Sequence, residues 1–158
     1  MEQDLESSGW LARRDFLGFG AVGAAIGILT WRAVLPPAPG DTDSLSVAEA
    51  EARARTGQIT LVDIRTPEEW AATGIGVPAH PLDMRRADFI TALQALAPVD
   101  APIALICARG VRSARLAGEL RAAGFTRIID VPEGMIGSSA GPGWIAAGLP
   151  IKPHGGDE

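Results

Sequence analysis

From residue 44 onward, apolar and polar positions switch repeatedly between a helical rhythm and short solid apolar runs. "SLSVAEAEARARTG" opens with serines able to cap, continues in strong helix formers and stops at Gly57, so it predicts a helix. "ITLVDI" is β-branched and aliphatic, and too short for a helix between Gly57 and Pro67, so it predicts a buried strand. In "TPEEW", Thr66 is the expected N-cap, with Pro67 at the first helical position and Glu69 closing a capping box. Phe89, Leu93 and Leu96 recur at helical spacing in "MRRADFITALQALAP", which ends before Pro98. "PIALIC" predicts a second buried strand, "RSARLAGELRAAG" a helix stopped by Gly124, and "RIIDV" a third strand. Strands alternating with helices indicate an α/β domain, a parallel sheet covered by helices on both faces.

Composition narrows the possible functions. Of the 158 residues 47% are hydrophobic, enough for one domain with its own core. A formal charge of −5 carries no electrostatic footprint for nucleic acid, so no nucleic-acid partner is expected. His80 and His154 lie far apart, with no cysteine or acidic cluster at ligand spacing, and no metal site is expected.

The single cysteine, Cys107, cannot form an internal disulfide. It stands at the carboxyl end of a predicted strand, the edge of an open α/β sheet where ligands bind. In the following "ARGVRS", Gly110 can take positive φ and let a tight loop curl around the sulfur. Amide groups of such a loop, with the free donors at the start of the next helix, favour an anion at their centre. Arg109 and Arg112 add positive charge, which favours a thiolate. These features together favour a nucleophile over an inert buried thiol. A cysteine-loop phosphatase needs arginine six positions after the nucleophile, and that position is Ser113.

Four segments together resemble a single rhodanese domain, the sulfurtransferase fold: "LVDIRTPEEW", "TGIGVPAHPLDM", "CARGVRS" and "DVPEGMIGSSAGPGWIAAGLPI". The resemblance runs from about Leu45 to Ile151; the histidine common at the family's turn is replaced by Ile75 after Gly74. It implies that Cys107 takes sulfane sulfur from a small anionic donor such as thiosulfate and passes it, as a persulfide, to cyanide, a thiol or a protein, with no metal or organic cofactor required. The loop amides of Ala108, Arg109, Gly110, Val111, Arg112 and Ser113 would hold the persulfide, with Arg109 on the donor's anionic end. Arg112 is expected to fold back onto Asp63 and brace the loop, and Arg65 to tie to the helix after Thr66. Trp70 and Trp144 are expected in the core or at its rim. A persulfide carrier or sulfur-relay binding module with little free turnover is the alternative, and a silent interaction module a more distant one.

The amino-terminal stretch has a different character. Arg13-Arg14-Asp15-Phe16-Leu17 resembles the twin-arginine export signal and precedes the uncharged run from Phe16 to Trp31. Residues 1–35 are therefore expected to be a signal peptide or membrane anchor, 36–44 a linker, 45–152 the folded domain and 153–158 a flexible tail. The resemblance implies export by the twin-arginine machinery to the periplasm. Residues 16–35 can reach across the inner membrane if Arg32 snorkels, so cleavage and anchoring both stay open.

Overall fold

The computed structural model describes residues 43 to 154; the leader, most of the linker and the last four residues lie outside the described residues. Five helices and six strands follow in order: α1 (Val47–Arg55), β1 (Thr60–Asp63), α2 (Pro67–Thr73), β2 (Ile75–Gly76), β3 (His80–Pro81), α3 (Phe89–Leu96), β4 (Ile103–Ile106), α4 (Val111–Ala122), β5 (Ile128–Asp130), α5 (Gly143–Ala146) and β6 (Ile151–Lys152). Four strands form a sheet in the order β3-β1-β4-β5, and every pairing in it is parallel. The expected α/β architecture is the one observed.

Local sequence accounts for the helix starts. Ser46 and Glu49 form a capping box on α1, and Thr66 and Glu69 form another on α2, where Pro67 leads the first turn. Two-residue strands were beyond the reach of the pattern: β3 adds a fourth strand at the sheet edge, and β2 pairs antiparallel with β6 in a separate ribbon. Two residues cannot display an alternation. Pro81 lies in an edge strand, where a missing N–H is tolerated.

Alternation along the strands divides the core between the two faces of the sheet. Val62, Ile103, Leu105 and Ile128 pack with Phe89 and Leu93 of α3 and Leu116 and Leu120 of α4. Leu61, Ala104, Ile106 and Ile129 pack on the other face with Val47 and Ala50 of α1 and Trp144 of α5. Trp70 and Trp144 are both buried, as expected. With helices on both sides, each central strand is buried on both faces, hence its unbroken apolar run.

The strand order creates the functional edge. From β1 the chain crosses one way to β3 and the other way to β4, so a crevice opens between the carboxyl ends of β1 and β4. Asp63 ends one strand and Cys107 follows the other.

Candidate active site

Cys107 leaves β4 and enters a loop that closes on α4 within four residues. Gly110 takes φ of 82° and serves as N-cap of α4, with no side-chain cap. A β-carbon at Gly110 would run into the Pro132 carbonyl oxygen, and one at Gly134 into that of Ala108. Both glycines are therefore required by close backbone approach as well as by positive φ. Met135 and Ile136 donate their amides to the carbonyls of Cys107 and Ala108, at 2.8 and 3.0 Å. The loop is thereby fastened along its carbonyl side. Among the described residues, the amides of Ala108 to Ser113 have no oxygen acceptor in the protein. An uncapped helix start of this kind leaves its donors to an anion.

The thiol is buried. Cys107 is 1% exposed and packs with the apolar cluster under α3 and α4, not at a partly exposed site. The strand end is covered because the loop curls back over it, while Arg109 and Val111 project outward. Its Sγ donates to Ser113 Oγ at 3.6 Å, and that hydroxyl donates in turn to the Gly110 carbonyl at 3.0 Å. At the end of β5, burial pushes the Asp130 carboxyl up, opposed by the polar groups beside it, the Ser113 hydroxyl and the Val131 amide.

The expected contact between Arg112 and Asp63 does not form. Asp63 is taken by Arg65, whose Nε and Nη2 donate to the carboxylate at 2.9 and 2.7 Å, both side chains fully buried. Arg65 also donates to Thr73 Oγ1 and the Gly74 carbonyl, each at 2.7 Å. It ties the end of β1 to the end of α2, the structural role expected of it. Arg65 stands two positions after Asp63, so its fork-shaped donor takes that carboxylate ahead of a distant arginine.

Arg112 pairs instead with Glu69, Nη1 to Oε2 at 2.8 Å and Nη2 to Oε1 at 2.6 Å. Glu69 thus closes the α2 capping box and anchors the loop after Cys107 at once. Hydrogen bonding from Arg112 holds its carboxyl below the ordinary range against the opposing cost of burial, helped by the Thr66 amide. Arg112 is held more firmly charged, first by Glu69 and to a lesser degree by its closeness to Cys107. The capping box identified Glu69 in sequence but gave no sign of this second partner. Engaged on both terminal nitrogens, Arg112 is not a free bidentate clamp for an oxyanion. Arg109 is exposed and has no ion pair among the described residues. Those residues include no group of side chains able to hold a metal ion.

The family model for the rhodanese-like domain matches residues 46–137. The chain belongs to the rhodanese-like domain family. It is 30% identical over 120 residues to a sulfurtransferase of Allochromatium vinosum, covering 73% of this chain and 95% of that protein. The polysulfide-sulfur transferase homodimer of Wolinella succinogenes superposes with a TM-score of 0.56 at 25% identity, covering 80% of this chain and 90% of that one. The rhodanese-like domain of an Anabaena protein superposes with a TM-score of 0.57 at 18% identity, over 73% of this chain and 88% of that one, a likeness of fold. Rhodanese-type sulfur transfer is therefore the class to which this protein belongs.

Proposed function

We propose that the protein carries sulfane sulfur from a small anionic donor such as thiosulfate to a thiophilic acceptor through a persulfide on Cys107. The observation that carries the reading is the loop at the end of β4. One cysteine is followed at once by consecutive amides that have no acceptor among the described residues, at the uncapped start of a twelve-residue helix. Unpaired backbone donors beside a buried sulfur stabilise negative charge on it and on any sulfur attached to it. The membership of the family and the two sulfur-transferring relatives support the same chemistry.

The Cys107 thiolate attacks the outer sulfur of thiosulfate, the sulfur–sulfur bond of the donor breaks, and sulfite departs with the electron pair. The acceptor then attacks the outer sulfur of the persulfide, and Cys107 leaves as thiolate. Arg109, exposed beside the loop, faces the anionic end of the donor. Arg112, held by Glu69, keeps the loop in shape. Cyanide, thiols and protein thiols are the acceptor classes this chemistry admits.

Incubation of the protein with thiosulfate should add one sulfur atom to the mass of Cys107, removable by cyanide with release of thiocyanate. No gain in mass from a folded protein would overturn the assignment. Loading with negligible cyanide turnover would favour the persulfide-carrier reading.

We further propose that the leader directs this domain through the twin-arginine machinery to the periplasm, as a cleaved signal or an inner-membrane anchor. Among the described residues no helix is long and apolar enough to cross a membrane; the anchor proposed here is the stretch 16–35. Full-length protein confined to the cytoplasmic fraction would refute this.

A further inference from the structure

A thiol buried as deeply as Cys107 has no direct way to give its proton to water. Cys107 is 1% exposed, and Ser113, whose hydroxyl oxygen accepts from its Sγ at 3.6 Å, is 0% exposed. Arg112 also lies close to the sulfur, but a guanidinium has no acceptor and takes no proton. A proton that leaves the sulfur along hydrogen bonds therefore goes first to Ser113 Oγ. Two acceptors then stand within reach of the hydroxyl hydrogen. One is the Gly110 carbonyl, at 3.0 Å, which cannot keep a proton. The other is the Asp130 carboxyl.

Strand geometry brings Asp130 there. β4 and β5 run parallel with Leu105 opposite Asp130, and Cys107 follows Leu105 by two residues. Leu105, Cys107 and Ile128 pack on the face under α4, and alternation sends Asp130, two after Ile128, to that same face. Ser113 sits on the first turn of α4, over both strand ends. Its hydroxyl donates to Gly110, and Asp130 Oδ1 is left buried without a hydrogen-bond partner, the one carboxylate oxygen so placed among the described residues. A buried acceptor without a donor calls for an explanation. Burial raises the affinity of Asp130 for a proton. The charged side chain facing it is Arg121 of α4, which is shared with Asp43 and the Ile128 carbonyl. Asp63, at the end of β1, is neutralised by Arg65.

We propose that Asp130 is a proton-positioning residue: as sulfur is loaded, the Cys107 proton passes through Ser113 to Asp130 Oδ1 and stays there, returning when the sulfur leaves. The inference rests on the persulfide reading for the loading step. The S–H bond breaks with its electron pair on Sγ, which attacks the outer sulfur of thiosulfate, and sulfite leaves with the pair of the broken sulfur–sulfur bond. Ser113 Oγ takes the thiol hydrogen and gives its own to Oδ1 as the hydroxyl turns from Gly110. Thiol and carboxylate become persulfide anion and carboxylic acid. The site thus holds one negative charge before loading and one after it, where two in a dry site would repel.

Loading with thiosulfate near neutral pH is read by mass, and protons released are read with an indicator in weak buffer. Asp130→Asn should release about one more proton per sulfur gained than wild type does, because sulfite takes the same share in both. Ser113→Ala should likewise release more than wild type. Equal release by all three would overturn the proposal. A second arm needs no sulfur: the chain has one thiol and no tyrosine, so thiolate absorbance reports Cys107 alone. At a fixed pH below the thiol midpoint, Asp130→Asn should hold about ten times as much thiolate as wild type. In otherwise unaltered protein the Asp130 carboxyl carbon resonance should move a second time as the thiol ionises, a step missing from Cys107→Ala. Thiolate content that Asp130→Asn leaves unchanged, or a carboxyl resonance indifferent to Cys107, would also overturn it. Failure of thiosulfate to load, with this coupling intact, would count against the persulfide alone.

Discussion

Glu69 on α2 and Arg112 on α4, 43 residues apart in the chain, meet through two parallel hydrogen bonds of 2.8 and 2.6 Å. Because Glu69 also accepts the Thr66 amide, the start of α2 and the start of α4 share one carboxylate. The active-site loop is therefore held by the helix that follows the neighbouring strand. Replacing Arg112 by Lys keeps the charge but removes the fork, and a lysine point charge does not reproduce bidentate geometry. Arg112→Lys and Glu69→Gln should each lower stability by about 1–2 kcal/mol, with thiosulfate KM rising more than kcat falls. Unchanged KM in both variants would mean that the pair does not shape the donor site.

Acid should act on the same pair. The Glu69 carboxyl is depressed from its ordinary value of 4.5 by the hydrogen bonds from Arg112, with burial opposing. A depressed carboxylate contributes stability that is complete above the ordinary value and is lost as pH falls through the lower folded value. The difference in urea midpoint between wild type and Glu69→Gln should stay constant above about pH 5.5 and shrink below about pH 4.5. A difference that persists undiminished in stronger acid would show that charge is not what the pair contributes.

Replacing Cys107 by Ser should abolish sulfur loading. It should also destabilise the fold by about 1–2 kcal/mol, because a hydroxyl replaces the thiol in an apolar pocket with only Ser113 close by. Cys107→Ala should load nothing and lose about 1 kcal/mol, as expected of a small cavity. Sulfur gained by either variant would remove the nucleophile from its role.

Gly110→Ala tests the loop backbone. The new methyl group would meet the Pro132 carbonyl in a conformation, φ 82°, that side chains avoid. A cost of about 2–4 kcal/mol is expected from strain and overlap together. Sulfur loading per folded molecule should fall as well, since the amides shift with the backbone. Wild-type stability in urea would contradict the close approach.

Asp63 and Arg65 are braces, so their loss should be felt in stability first. Asp63→Ala leaves a buried guanidinium without its counter-ion, at a cost of about 3–5 kcal/mol. Replacing the pair together by leucine and methionine should recover much of that loss. Sulfur loading by the folded fraction of the double variant should remain. If it vanishes, the pair acts on the site and not only on the fold.

The strand-to-helix order, the Thr66–Glu69 capping box, the capping serines before α1, the cysteine at a strand end and the glycine that turns the loop were legible before any coordinates. Each depends on neighbours within a few residues, where backbone geometry alone relates side chains. The two-residue strands were not legible, nor was the short α5, whose four residues span little more than one turn.

By itself, then, the sequence determined the α/β frame, the place of Cys107 at the ligand edge, and the loop of amides that follows it. Tertiary structure decided how deep the thiol lies and which arginine each carboxylate receives. Those outcomes depend on how α4 and α2 pack over the ends of β4 and β1. An ion pair across 43 residues forms only when that packing brings its partners within hydrogen-bonding reach, and no local pattern encodes the distance.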